Sequence, residues 1–532
     1  MKRIWTLIVA LFGVLALAGC GAGDNAGSGA ASPTTSTGRS GDGADLTIVA
    51  ATELRDMEGM VHRAAQELGF SIDLLFPGGT LDNSQSLKRG DFDGVVDATW
   101  FATNRYVNLI GASDKLADET KLATSPVAFG VWEQEAARLG WDTHQPTWAE
   151  FAQAAQEGQF RFGMTNPTSS NSGFSALVSV ATAVADTGQA LTPADLERVS
   201  PTLEALFQAQ SLVSGSSGWL ADAFIADPSR ADAIVNYEST LLQLRRDGHP
   251  IRVVVPKDGV ISADYPLSTL ANPANDKAAE RVRELADWML AHQDEIAQTY
   301  RRPVISVSTL PAELSGQQVI ELPIPANQTV VDELLYAYNN TYRKPGSTTF
   351  VLDVSGSMKG SRIDSLKDIM RSLIDGSAST LTGDVSLRDR ETVTLWSFDT
   401  RPNEPVTVTF DREEASTSNM LFEYVDRLEA SGGTALYPAL LGAIDATNTA
   451  AGIPSIVLLG DGLANEGENF REFAEIYQTL PPEKRAIPVF VILYGSASEA
   501  EMQELAELTG GKVFDALHGD LAGAFKEIRG FQ

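Results

Sequence analysis

The stretch FVLDVSGSMKGSRID, residues 350–364, decides how the second half of this chain is read. Phe350, Val351 and Leu352 belong in a buried strand, and Asp353, Ser355 and Ser357 follow at once, alternating with small residues. In an open α/β sheet, ligands gather beyond the carboxyl ends of the strands, where loops lead into helices. Residues at i, i+2 and i+4 of a turning loop there can face one locus. One carboxylate and two hydroxyls form an all-oxygen set that suits a hard divalent cation, Mg²⁺ foremost, with Ca²⁺ or Mn²⁺ as alternatives. Zinc would call for His or Cys.

Two later stretches supply matching pieces. EASGGTALYP (429–438) places Thr434 after a glycine pair in a loop that opens a helix, and SIVLLGDGLANEG (455–467) places Asp461 at the end of another hydrophobic strand. The D-x-S-x-S pattern alone is loose, but the three segments in order, each at a strand exit of an α/β series, are specific. Together Asp353, Ser355, Ser357, Thr434 and Asp461 resemble the metal-ion-dependent adhesion site of von Willebrand factor type A (VWA) domains, over residues 347–532. That resemblance implies a doubly wound, mostly parallel, Rossmann-like sheet. It also implies that the serines and the threonine contact the metal while the aspartates often act through water. One coordination position would stay open for a carboxylate from a partner protein. The family usually carries Thr before the last aspartate, and Gly460 stands there instead, which thins the support behind the ligands without removing one. No base, nucleophile or His is placed near the set, so the chemistry implied is binding and not catalysis.

The N-terminus reads as an export signal. Lys2 and Arg3 precede an apolar run from Ile4 to Ala18, too short and wrongly flanked for a membrane span. LAGC (17–20) resembles the lipobox of bacterial lipoproteins, which implies cleavage after residue 19 and lipidation of Cys20, with palmitate among the acyl chains. Cys20 is the only cysteine in the chain, so disulfides cannot brace the exported domains. Residues 20–45, rich in Gly, Ser, Thr and Ala, form a flexible tether. The expected location is the extracytoplasmic face of a bacterial cell membrane, reached through the lipid. A formal net charge of −30 across 532 residues argues against nucleic acid, which demands a basic face.

From residue 46 to about 310, strand-like segments such as LTIVAA, SIDLLF, SPVAFGVW and DAIVNYE alternate with helical ones, which predicts parallel sheets with covered faces. DKAAERVRELADWMLAHQDEIAQTY (276–300) reads as one continuous helix. LTIVAATELRD, PGGTLDNSQSLKRGDFDGVVDATW, TNPTSSNSGFSAL and DAIVNYESTLL resemble, in order, the cleft-side segments of bacterial extracellular solute-binding proteins. These are the two-lobed (type II) periplasmic-binding-protein-like receptors that serve ABC importers. The resemblance points to Thr52, Thr80, Asn171, Ser172 and Tyr237 as cleft residues. PTSSNSG also offers free N–H groups at a helix start for a small polar or anionic ligand, with plain N-capping by Ser170, Asn171 or Ser172 as the alternative.

Residues 311–346 form a proline-punctuated connector with one helix. DFDG at 91–94 opens like a calcium loop, but Ala102 stands where the twelfth-position acid belongs. The five histidines lack metal-ligand spacing and read as surface residues, and Trp132, Trp141 and Trp148 read as packing. Two functions follow as expectations. The first is a membrane-anchored binding protein whose VWA domain grips an unidentified protein through a metal. The second is an ABC-importer receptor for an oxyanion-like solute with an accessory VWA domain.

Overall fold

The computed structural model describes residues 44–315, 318–380, 383–449, 452–462, 464–495, 499–516, 524–525 and 528–529. The expected signal peptide, Cys20 and nearly all of the tether lie outside the described residues, as does most of the helix expected at 521–531. Strands are numbered along the chain.

β1 (Leu46–Ala50), β2 (Ile72–Leu75), β3 (Ala98–Trp100), β4 (Thr120–Lys121) and β11 (Pro266–Thr269) make one sheet in the order β2-β1-β3-β11-β4. β5 (Ala123–Trp132), β6 (Phe162–Thr165), β7 (Gln210–Ser214), β8 (Ala233–Tyr237) and β10 (Ser262–Ala263) make a second, ordered β10-β5-β8-β6-β7. β9 (Ile251–Val254) and β12 (Arg302–Pro303) also pair with β5. The chain therefore crosses from the first sheet to the second after Lys121 and returns after Ala263, which defines two lobes. The sheets are not uniformly parallel. β1 runs parallel to β2 and β3, and β6 to β7 and β8. β11 is antiparallel to β3 and β4, and β5 to β8, β9, β10 and β12. β5 and β11 carry the chain between lobes, so they enter their sheets from the end opposite to a strand-helix-strand unit.

The long helix expected at 276–300 is two helices, Ala278–Ala291 and Gln293–Gln298, broken at His292. The His292 ring stacks on Trp288 at 3.7 Å, and the buried Gln293 amide donates to the Leu122 carbonyl at 2.8 Å. The break thus turns Gln293 onto the first inter-lobe crossing. Trp141 and Trp148 pack against Phe151 beside Phe129, as expected of core residues.

The third sheet contains β13 (Gly346–Asp353), β16 (Thr392–Phe398), β17 (Val406–Thr409), β18 (Ile453–Gly460), β19 (Val489–Leu493) and β20 (Val513–Asp515), ordered β17-β16-β13-β18-β19-β20. β14 (Ser379–Thr380) and β15 (Gly383–Asp384) form a separate short hairpin. Every pairing in the third sheet is parallel except β16 with the edge strand β17, whose hairpin connection forces antiparallel pairing. Side chains alternate across β13. Phe350 and Leu352 join the core under the helices Ser361–Asp375 and Ala415–Asp426. Val351 faces the core under Leu436–Ala446, Phe470–Thr479 and Glu499–Thr509. With both faces covered, the strands read as continuous apolar runs.

The connector helix Gln328–Ala337 leads into a turn that seats the third sheet against the second lobe. The Tyr338 hydroxyl donates to Gln210 Oε1 (2.7 Å), and Asn166 Nδ2, at the exit of β6, donates to the Arg529 carbonyl (3.1 Å). Arg343, Arg388 and Arg529 gather here around Glu391, which accepts from Arg529 Nη1 (2.7 Å) and Thr348 Oγ1 (2.6 Å). Burial, reinforced by its arginine neighbours, pushes Arg388 down to about 9. Burial opposes ionisation of Glu391 as well, yet the Arg529 charge and these hydrogen bonds hold its carboxyl below the usual range. Removing one partner of a buried ion pair leaves an uncompensated charge. Glu391→Ala is expected to lower unfolding free energy by about 3–5 kcal/mol, read from urea denaturation.

Candidate metal centre and ligand cleft

β13 delivers Asp353 fully buried to the carboxyl edge of the third sheet. The Ser355 N–H donates to Asp353 Oδ1 at 2.8 Å, and the Ser355 and Ser357 hydroxyls lie 3.0 Å apart. Ser355 is buried while Ser357 is exposed, so the group opens to solvent on one side. β18 runs beside β13, and its last residue, Gly460, lies against Asp353. A Cβ at Gly460 would stand 2.7 Å from Asp353 Cβ and 2.8 Å from its Oδ2. Glycine at 460 is thus what lets this carboxylate pack against the neighbouring strand, which changes the meaning of the departure from the usual Thr.

Asp461 follows, buried, and accepts from Arg362 Nη1 at 3.1 Å; the same nitrogen donates to the Ser357 carbonyl at 3.2 Å. The loop carrying Thr434 is stitched to both other segments. Ser431 N–H donates to the Val354 carbonyl (2.8 Å) and Gly356 N–H to the Gly432 carbonyl (3.1 Å). Thr434 N–H donates to Asn465 Oδ1 (2.7 Å), and Asn465 N–H returns a bond to the Thr434 carbonyl (3.1 Å). The structure thus brings the three segments together at one edge. Arg362 and Asn465 were missed from sequence; both stand in the quoted stretches, but nothing in either pattern separates them from solvated loop residues.

Asp353 Oδ2 is buried and accepts no hydrogen bond. Burial pushes the Asp353 carboxyl up to about 6; bonds from Ser355 and from the Asp461 backbone oppose the rise, and the Asp461 charge adds to it. Among the described residues no three His, Cys, Asp or Glu side chains gather as a metal cluster, so the donors are two carboxylates and neutral hydroxyls. An unsatisfied carboxylate oxygen beside a second carboxylate, ringed by hydroxyls, fits a hard divalent cation that keeps some of its waters.

In the two-lobed part, Thr52 leaves β1, and Thr80 begins the helix Thr80–Arg89 with its hydroxyl accepting from the Ala102 N–H at 3.0 Å. Ser172 Oγ lies 2.9 Å from both Thr165 Oγ1 and Ser217 Oγ. The Thr80 and Ser172 hydroxyls are therefore engaged in holding the lobes' own loops. Asn171 Nδ2 donates to the Tyr237 hydroxyl at 3.0 Å, which brings those two residues together. Ser170 stands at the N-cap of the helix Asn171–Ala185 without a side-chain capping bond. The lobes touch across the cleft: a Cβ at Gly79 would come 2.4 Å from the Ser169 carbonyl oxygen.

Sequence reading missed Glu53, Asp56, Tyr265 and Arg301, which are adjacent only after folding. Arg301 is buried in a bidentate pair with Asp56 (2.7 and 2.8 Å), donates to the Glu53 carbonyl (2.8 Å) and lies 5.3 Å from the Tyr265 ring centre. Tyr265 occupies the return crossing with φ +37°, its carbonyl accepting from Trp100 Nε1 at 3.2 Å. Two open grooves, of about 640 and 810 Å³, lie away from both sites and contain none of these residues.

Two lobes joined by repeated crossings of the chain define a solute-receptor fold, and the third sheet with its strand-edge oxygens defines a VWA domain. A family model described as bacterial extracellular solute-binding protein matches residues 33–299, and one described as von Willebrand factor type A domain matches residues 348–514. The chain belongs to the bacterial extracellular solute-binding proteins and carries a VWA domain behind the receptor lobes. That membership makes it an extracytoplasmic protein; among the described residues no helix is long and apolar enough to cross a membrane. No curated protein matches the chain.

Solved structures similar to it include the sulfate-binding protein SubI from Mycobacterium tuberculosis H37Rv, with 20% identity, 54% of this chain and 98% of that one covered, and a TM-score of 0.42. The periplasmic binding protein AfuA from Actinobacillus pleuropneumoniae, with fructose-6-phosphate bound, shares 12% identity over 55% of this chain and 97% of that one, at a TM-score of 0.44. The ferric binding protein from Campylobacter jejuni shares 13% over 55% and 99%, at 0.41.

Two outcomes test the metal-centre geometry. Gly460→Ala forces its methyl into Asp353, so stability should fall by about 1–3 kcal/mol in urea denaturation. The second is a pH effect. Asp353 holds its proton to about pH 6 when folded but releases it near 3.8 when unfolded. Stability from that group is complete below pH 3.8 and is lost as pH rises through about 6. The metal-free wild type should therefore lose stability across pH 4–6 relative to Asp353→Asn, by on the order of 3 kcal/mol.

Proposed function

We propose that this is a lipid-anchored, extracytoplasmic binding protein whose VWA domain holds one divalent cation, Mg²⁺ foremost, and through it an acidic side chain of a partner protein. The observation that carries the reading is Asp353 Oδ2, a buried carboxylate oxygen without a donor, set beside Asp461 and two serine hydroxyls at an edge that opens through exposed Ser357. The cation would supply positive charge and an open coordination position. Asp353, Ser355, Ser357, Thr434 and Asp461 would hold it, with Arg362 orienting Asp461 and Asn465 fixing the Thr434 loop. The donors at this edge are carboxylates and hydroxyls suited to holding a cation, which supports binding over catalysis.

The two-lobed domain takes a small solute between its lobes. A second reading, an importer receptor with the VWA domain as accessory, is favoured by the close approach of Gly79 to Ser169, which places the lobes in contact around that cleft. Cys20 would supply the anchor in either case.

Calorimetric titration of the full-length protein with Mg²⁺, Mn²⁺ and Ca²⁺ tests the leading reading. Saturable binding of one ion per chain is expected, with affinity reduced at least tenfold in Asp353→Ala. Cation at about 100 times its dissociation constant should add about 2.7 kcal/mol to the wild type. Absence of binding by all three ions, or affinity unchanged in Asp353→Ala, overturns it.

A further inference from the structure

The notable feature of the inter-lobe cleft is a surplus of acceptors. Glu53 leaves β1 half-buried, with its Oε1 withdrawn from solvent and without a hydrogen-bond partner. Asn171 uses its Nδ2 on Tyr237, and its Oδ1 is buried without a partner. The Tyr265 hydroxyl is buried and unpartnered too. They are linked in series: Asn171 bonds Tyr237, Tyr237 packs on Tyr265, and Arg301 joins the Tyr265 ring to the Glu53 carbonyl. Burial first, and then the Glu53 charge, raises the hydroxyl pKa of both Tyr237 and Tyr265. The Tyr237 and Tyr265 rings lie 6.1 Å apart.

The nearby cation does not balance Glu53. Arg301 is held bidentate by Asp56 and binds the Glu53 backbone carbonyl, which leaves only its Nε without a partner. Counting Asp56 and Arg301 as neutral together, ionised Glu53 remains as excess negative charge. An oxyanion would have to be buried beside that carboxylate, whereas a cation would supply the donors that Glu53 Oε1 and Asn171 Oδ1 lack. Burial pushes the Glu53 carboxyl up to about 7, while its own backbone N–H, the Arg301 charge and a bond from Thr52 pull the other way.

We infer that the cleft is built for a small ammonium-bearing solute gripped by Glu53 and Asn171 beside the Tyr265 hydroxyl, and not for an oxyanion. This deepens, and rests on, the reading of the two-lobed domain as a solute receptor. The grip comes from both lobes: Glu53 follows β1 in the first, Asn171 and Tyr237 belong to the second, and Tyr265 lies on the crossing between them. Closure therefore assembles the site.

The test uses full-length protein in thermal-shift and calorimetric titrations with putrescine and agmatine on one arm, and sulfate, phosphate and molybdate on the other. At least one amine should bind saturably and raise Tm, and Glu53→Gln should weaken it at least tenfold. Tyr265→Phe, which keeps the ring, should weaken it severalfold, so the inference does not depend on a single variant. Binding of oxyanions alone, or amine binding unchanged in Glu53→Gln, overturns the cation assignment while leaving the cleft a solute site. Failure of every probe on both arms overturns the assignment together with the receptor reading.

Discussion

A carboxylate buried without a donor is costly, because the desolvation of its oxygens is not returned by hydrogen bonds. Asp353 stands in that position at the end of β13, and much of the third sheet is arranged around it. Gly460 clears the space on the neighbouring strand, Ser355 supplies a single N–H, and the glycine pair before Thr434 lets a third loop close over the edge. Such an arrangement is stable only while the energy of the rest of the sheet over-determines it, and the two apolar layers either side of β13 provide that frame. Glu53 repeats the pattern in the receptor lobes, where burial again raises a carboxyl that lacks a full complement of donors. In both places, a carboxyl raised by burial stands at the end of a strand, the kind of position where perturbed acids gather at functional sites.

The two halves are joined by polar bonds and a buried charge cluster. Asn166 belongs to the loop between β6 and the helix carrying Asn171, and its amide reaches the Arg529 carbonyl in the VWA domain. Arg529 in turn holds Glu391 and the carbonyls of Val385 and Ser386. A hydrogen-bonded path therefore runs from the cleft loop into the frame of the third sheet. Its members are directional and buried, so they fix register between the domains more strictly than an apolar contact would.

The fold was legible where periodicity was strong. β13, β18 and β19 read as apolar runs because both of their faces are covered. Strand direction in the lobes was not legible. β5 and β11 look like any other strand, and only the crossing of the chain between lobes reverses them. The break at His292 was equally hidden, since the amphipathic pattern runs through it and the cause is a bond from Gln293 to a carbonyl far away in sequence.

The sequence by itself determined the oxygen set at the strand edges, because Asp353, Ser355, Ser357, Thr434 and Asp461 lie in short local patterns whose position at strand exits follows from hydrophobic runs. It also determined the two-domain order, the acidity of the chain and the single cysteine. Only the tertiary structure decided why residue 460 is glycine, how Arg362 and Asn465 hold the Asp461 and Thr434 loops, and which residues of the cleft are engaged or free. Thr80 and Ser172 turned out to hold loops, while Glu53, Tyr265 and Arg301 came together from three distant segments. The physical reason is that a buried polar group is defined by its partners, and those partners are chosen by lobe crossing and strand packing, which no local pattern records.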